Sequence, residues 1–240
     1  MKEKADDRMN EELLAACEQS IGYVFKNKKL LETALTHTSY ANEHHTDSYQ
    51  RLEFLGDSVV SVVVSTDIYN AFEDFPEGKL TKLRADLVRE ETLAELALRI
   101  SIDKYIRLGV GESRQGGNKK PSILSDVFES IVGAVYMDGG PEAAINYVKS
   151  KMAGEVEKHL KTFMETDRKT NLQEYAASHG AKEQYEIIGE EGPDHDKKYI
   201  YRVTLDGKTA EGKGKTKQDA EQAAAKEYYE KYIENGEKKC

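Results

Sequence analysis

The chain of 240 residues has no tryptophan, only two cysteines and only four prolines. Cys17 and Cys240 lie near opposite ends, which excludes a disulfide framework and any metal site built on closely spaced thiolates, and suits a reducing compartment. No apolar run approaches the roughly 20 residues of a membrane helix. The opening Met1-Lys2-Glu3-Lys4-Ala5-Asp6-Asp7 lacks the apolar stretch of a secretion signal. These absences lead to the expectation of a soluble, cytoplasmic protein. A basic surplus is missing as well: charged residues make up 33% of the chain, and the formal net charge is −9. Residues 1–167 carry 21 Lys+Arg against 29 Asp+Glu, and residues 168–240 carry 14 against 15. This balance argues at first sight against a nucleic-acid partner, but net charge says little where local patches do the binding.

What is present is a pair of acids inside each of two apolar stretches. In Gln50-Arg51-Leu52-Glu53-Phe54-Leu55-Gly56-Asp57-Ser58-Val59-Val60, a strand would put Glu53, Leu55 and Asp57 on one face, mixing charge into the apolar side. A helix stacks Glu53 and Asp57 together and lines Leu52, Leu55, Val59 and Val63 on another face. The stretch Ile123-Leu124-Ser125-Asp126-Val127-Phe128-Glu129-Ser130-Ile131-Val132-Gly133 repeats the device, with Asp126 and Glu129 three apart on one helical face. Ionised carboxylates among apolar neighbours are costly unless something compensates. Two such helices can converge on a four-carboxylate cluster, whose hard oxygen ligands suit Mg²⁺, with Mn²⁺ able to substitute, and not zinc. The alternative is two solvated helix faces.

The remaining chain divides in two. Helices are expected over 9–20 and 29–36, after the breaker Phe72–Gly78, over 91–100, and from Pro141 to about Leu160. The adjacent His44 and His45 read as a solvated loop. Residues 109–120 are glycine-rich but lack the Gly-Lys-Ser/Thr ending of a phosphate loop. They read as a flexible loop whose Lys119 and Lys120 can meet phosphate. The expected organisation is a helical domain over 1–164, a polar linker over 165–169, a second domain over 170–236 and a tail over 237–240. In the second domain, Tyr199, Tyr201, Val203 and Leu205 alternate as in a strand. Asp206-Gly207 is a hairpin turn, and Thr216-x-x-Asp219 is a capping box that opens a helix. The order is α-β-β-β-α. Lys213, Lys215 and Lys217 gather where that last helix begins, an end already favourable to phosphate.

Arg51 to Ser58, R-L-E-F-L-G-D-S, resembles the signature of the ribonuclease III family, and S-I-L-S-D-V-F-E-S-I-V-G-A resembles that family's second acidic motif. The segment Thr36 to Glu43 is similar to the family's sequence before its signature. The C-terminal part, with Gly192-Pro193-Asp194-His195 and Gly212-Lys213-Gly214-Lys215-Thr216-Lys217, resembles the double-stranded RNA-binding domain that the family commonly carries there. The resemblance covers nearly the whole chain.

It implies an all-α endonuclease domain followed by an α+β RNA-binding domain. The implied activity is Mg²⁺-dependent hydrolysis of both strands of double-stranded RNA, in the processing of ribosomal and other structured RNA precursors. The products end in 5′-phosphate and 3′-hydroxyl, with short 3′ overhangs. Glu53, Asp126 and Glu129 match the family's metal ligands, and Asp57 with Glu129 its active-site pair. Gln50 and Glu77 match auxiliary positions. Gln50 stands where many relatives have Glu and carries no charge; Glu77 is equally readable as an ordinary acid at a helix start. Gln173 and Glu174, and His195 further on, match minor-groove contacts, and Lys213, Lys215 and Lys217 match phosphate contacts. Gln218 replaces a lysine common at its position. Phe54 matches the family's dimer contact; its alternative is a core aromatic. A homodimer and duplex RNA are the implied partners. Two rival readings are a duplex-RNA-binding protein without catalysis and a metal-dependent nuclease of DNA.

Overall fold

The computed structural model describes residues 10–166, 168–193 and 197–234. It separates into two compact units, one ending at His159 and one beginning at Leu160.

The first unit is all helical. Helix α1 (Glu11–Ile21) begins where the Asn10 side chain accepts the Glu12 N–H and ends on Gly22 in the left-handed conformation. The short α2 (Lys28–Ala34) and α3 (Thr38–His44) follow. Next come α4 (Gln50–Ala71), α5 (Glu77–Leu87) and α6 (Glu90–Arg99). After a short α7 (Val110–Arg114), the chain enters α8 (Pro121–Met152) and then α9 (Glu155–Thr166), within which the division between the units falls. Pro121 opens α8 at the first turn, where a missing N–H costs nothing. Ile123, Leu124, Val127, Phe128, Ile131, Val132 and Val135 are buried, so this half of α8 is the spine of the core. Against it lie Leu52, Val60, Val63, Val64 and Ile68 of α4, and Leu93, Leu96 and Ala97 of α6.

The helix expected to start at Pro141 is continuous with the acidic one except at Gly140, whose φ of 82° and ψ of −178° only glycine adopts comfortably. Just before this break, the Asp138 carboxylate accepts from the Lys26 and Asn27 N–H groups and the Tyr23 hydroxyl. It thereby fixes the α1–α2 connection to α8.

One local expectation is corrected. Residues 109–120 are an organised segment, containing α7 and a 3₁₀ turn at Gly117–Lys119. Its hydrogen bonds reach far along the chain: Ser39 Oγ accepts the Gly109 N–H and the Glu43 carboxylate accepts the Val110 N–H. Lys119 pairs with Asp103, and Lys120 with Glu112 at 2.6 Å. The polar stretch expected as a linker at 165–169 is helical through Thr166 and again from Arg168.

The second unit is α+β. Helix α10 (Arg168–Ser178) leads to strands β1 (Gln184–Glu191), β2 (Lys198–Leu205) and β3 (Lys208–Gly214), followed by α11 (Lys217–Tyr229). The sheet is antiparallel in the order β1-β2-β3. Asp206 and Gly207 both have positive φ, as a two-residue hairpin turn requires. The capping box of Thr216 and Asp219 opens α11. Leu172, Ala176, Val203, Leu205, Ala210, Ala224, Ala225 and Tyr228 form the core.

Candidate active site

Two glycines set the distance between α4 and α8. A Cβ on Gly56 would stand 1.8 Å from the Glu129 carbonyl oxygen, and one on Gly133 would stand 2.1 Å from the Leu52 carbonyl oxygen. The helices therefore cross backbone to backbone, at an approach that no other residue type permits. Both acidic pairs lie beside this crossing, so their side chains meet. The face buried on α4 is Leu52, Gly56, Val60, Val63, Val64 and Ile68. Leu55 and Val59, expected inside, are only half-buried, because α8 takes the glycine side of the helix.

Carboxylate oxygens of Glu53, Asp126 and Glu129 all lie within 4.8 Å of one another. All three residues are half-buried, and Asp57, one turn beyond Glu53, is exposed. Burial and then the charges of Asp57, Asp126 and Glu53 push the Glu129 carboxyl up to about 8. Burial, followed by the charges of Asp126 and Asp57, raises Glu53 above the usual range. Burial raises Asp126 too, against the opposing hydrogen bond from Tyr49 and the charge of His37. Crowding of this kind raises the acids' affinity for protons, and a bound cation would compete with those protons. Its donors are carboxylate oxygens without nitrogen or sulfur, which fits a hard divalent cation.

The other sequence-predicted residues are more dispersed. Gln50 is exposed at the first position of α4, its Oε1 3.5 Å from Ser48 Oγ. Glu77 is exposed at the first position of α5, where it accepts from Thr81 Oγ1 of its own helix. Phe54 is 77% exposed, so the core-aromatic alternative does not hold. In the second unit, Gln173 is exposed and Glu174 half-buried on α10. Lys215 and Lys217 are exposed at the start of α11, with Lys217 Nζ 5.8 Å from the centre of the Tyr199 ring. Lys213 stands apart from them, on β3, where its Nζ lies 3.1 Å from both Glu191 oxygens. His195 lies outside the described residues.

Three contributors escaped the sequence reading. Gly56 and Gly133 sit inside both motifs, and glycine within an apolar helix is itself a signal of close packing. Tyr49, whose hydroxyl donates to Asp126 Oδ2 at 2.9 Å, left no local signal, because its partner lies 77 residues away.

Residues 27–156 match the family described as ribonuclease-III-like, and residues 169–232 match the double-stranded RNA binding motif. The chain is 44% identical over 216 residues to ribonuclease 3 of Streptococcus gordonii, covering 88% of this chain and 92% of that protein. It is 43% identical over 216 residues to ribonuclease 3 of Symbiobacterium thermophilum, covering 89% and 92%. Among solved structures, the nuclease domain of ribonuclease III from Campylobacter jejuni aligns with a TM-score of 0.56 and 40% identity, covering 61% of this chain and 97% of that one. That structure is described as showing flexibility in the region involved in dimer formation.

Proposed function

From the premise that this chain belongs to the ribonuclease III family, we propose a division of labour among its residues in cutting duplex RNA. The chain is a double-stranded RNA endonuclease with a helical nuclease unit and a duplex-RNA-binding unit. The observation that carries the assignment of roles is the convergence of Glu53, Asp126 and Glu129 at the α4–α8 crossing.

These three carboxylates would hold Mg²⁺, or Mn²⁺ in its place. A divalent ion there would supply a lowered pKa for water, orientation of a phosphate and compensation for the charge on the departing oxygen. Asp57 and Glu129 form the catalytic pair. Asp57 is exposed where an RNA backbone can reach it, and Glu129 sits half-buried where the acids of the two helices converge. Glu77 and Gln50 assist from the starts of their helices, Gln50 through hydrogen bonds alone. Hydrolysis leaves 5′-phosphate and 3′-hydroxyl ends. The bond is cut on both strands of structured RNA, ribosomal precursors among them, in the cytoplasm.

Gln173, Glu174 and His195 read the minor groove through 2′-hydroxyls, while Lys215, Lys217 and Lys213 meet phosphates. Lys213 must exchange Glu191 for phosphate to do so. The working form is a homodimer. The strands of a duplex are related by a two-fold axis, and a two-fold dimer presents one acid cluster to each strand. Staggered clusters then leave short 3′ overhangs. The exposed Phe54 inserts into the partner copy. Removing a buried aromatic costs about 3–5 kcal/mol, so Phe54→Ala should shift the dimer toward monomer in sedimentation equilibrium and lower activity with it; a fully active wild-type monomer would rule the dimer out.

The direct test offers long double-stranded RNA, single-stranded RNA and double-stranded DNA to the full chain, with Mg²⁺ and with EDTA. Cutting confined to duplex RNA with Mg²⁺ is the expected result. Equal cutting of duplex DNA, or cutting undiminished by EDTA, would overturn the assignment.

A further inference from the structure

Asp126 is held from outside the acid cluster as well as within it. The Tyr49 hydroxyl donates to its Oδ2 at 2.9 Å. Tyr49 is only 3% exposed, so it has little surface to offer RNA. It occupies the residue before α4, one turn ahead of Glu53, while Asp126 belongs to α8. Their bond therefore ties the two acid-bearing helices together a second time, beside the Gly56–Gly133 crossing.

The tyrosine is itself fixed at both ends. Its N–H donates to the Thr36 carbonyl at 2.9 Å. Its ring lies against the His37 ring, with centroids 5.7 Å apart. The His37 ring is held in turn, its Nδ1 2.8 Å from Ser39 Oγ and accepting the Ser39 N–H at 3.1 Å. A hydroxyl carried on so constrained a ring offers its proton in one direction only.

We propose that Tyr49 is a positioning residue, which orients the Asp126 carboxylate toward Glu53 and Glu129 so that the three can share one cation. The inference rests on reading the cluster as a metal site. An O–H donor to an ionised oxygen is among the stronger hydrogen bonds of proteins. Partners of this kind fix the ligating oxygens of a metal site, and losing one typically weakens metal binding about 10–100-fold. Without the hydroxyl, Asp126 is free to turn away from Glu53 and Glu129 when the cation leaves, and must be reordered each time it binds.

Tyr49→Phe keeps the ring and removes only the donor. The full-length chain, free of RNA, is titrated with Mn²⁺, and free ion is followed by electron paramagnetic resonance. Alongside run the wild type, Glu129→Gln, Asp126→Asn, and Asp126→Asn combined with Tyr49→Phe. Tyr49→Phe should bind Mn²⁺ about 10-fold more weakly. It should also need more Mg²⁺ for half-maximal cutting while approaching the wild-type rate at saturating Mg²⁺. A merely structural tyrosine would not produce that split. In the Asp126→Asn background, adding Tyr49→Phe should change Mn²⁺ affinity little. Melting in EDTA checks that the variants fold; if Tyr49→Phe does not, Tyr49→His takes its place, and wild-type Mn²⁺ affinity in that variant counts against the role. Wild-type Mn²⁺ affinity in a folded Tyr49→Phe, with binding lost in Glu129→Gln, overturns the role of Tyr49 and leaves the metal site standing. No Mn²⁺ binding by the wild type overturns the metal site itself.

Discussion

The two units solve the same packing problem and obtain opposite surfaces. In the nuclease unit, Gly56 and Gly133 let two helix backbones touch. In the RNA-binding unit, Gly212 and Gly214 let the sheet touch α11, where added Cβ atoms would stand 2.0 and 2.3 Å from the Ala224 and Ala220 nitrogens. The first contact draws Glu53, Asp126 and Glu129 together, half-buried, and raises their affinity for protons. The second leaves Lys215 and Lys217 exposed at the rim of the contact. One unit concentrates like charge and calls for a counter-ion; the other disperses charge into water, where an RNA backbone can collect it. With formal charges of −8 and −1 for residues 1–167 and 168–240, the totals describe neither.

The strongest way to break the comparison is at the concentrated charge. Glu129→Gln should cut duplex RNA at least about 100-fold more slowly, roughly 2.7 kcal/mol in barrier, while gel-shift affinity for the duplex stays within a few-fold. Cutting at a near-normal rate in Mg²⁺ would refute the cluster as the catalytic centre. Next in size are the glycines. Gly56→Ala forces the crossing apart and should cost about 1–3 kcal/mol of nuclease-unit stability, with weaker Mn²⁺ binding. Gly212→Ala should cost a similar amount and weaken RNA binding, leaving Mn²⁺ affinity unchanged. Calorimetric melts and Mn²⁺ titrations of both variants separate the two outcomes, and a Gly56→Ala chain with wild-type melting and metal affinity would show that the close approach is dispensable.

A subtler effect is expected at the dispersed charge. Lys217→Ala should flatten the slope of log affinity against log salt by about 0.7–0.9 if one phosphate contact is lost. An unaltered slope would remove Lys217 from the interface. A further effect concerns pH. Glu129 moves from 4.5 to about 8 in the folded chain, so the folded state binds more protons than the unfolded one between those values. Its stabilising contribution is present below about 4.5 and is lost as pH rises through 8. In EDTA, the wild-type melting temperature should therefore fall more steeply between pH 5.5 and 8 than that of Glu129→Gln; parallel profiles would contradict the shift.

The acids were legible in the sequence because a helix places neighbours three and four apart on one face, a relation that needs no knowledge of the fold. The hairpin at Asp206-Gly207 and the capping box at Thr216 were legible for the same reason: each is complete within a few residues. What stayed hidden depends on distant partners. Helix α7 was read as loop because Glu43 and Ser39 organise its start from some 70 positions upstream. Lys119 and Lys120 looked available for phosphate because Asp103 and Glu112 come to them only in the folded chain. The half-exposure of Leu55 and Val59 likewise follows from which side of α4 the partner helix takes, and period alone does not decide that.

The crossing at Gly56 also acts as a fulcrum. With a rise of about 1.5 Å per residue, Glu53 lies about 4.5 Å along the axis from Gly56, and Ala71, at the far end of α4, about 22 Å. A 5° swing of α4 about that point would move Ala71 by about 2 Å but Glu53 by only about 0.4 Å. The acids are mounted where the lever arm is shortest, so a swing of the helix about the crossing would scarcely move their carboxylates.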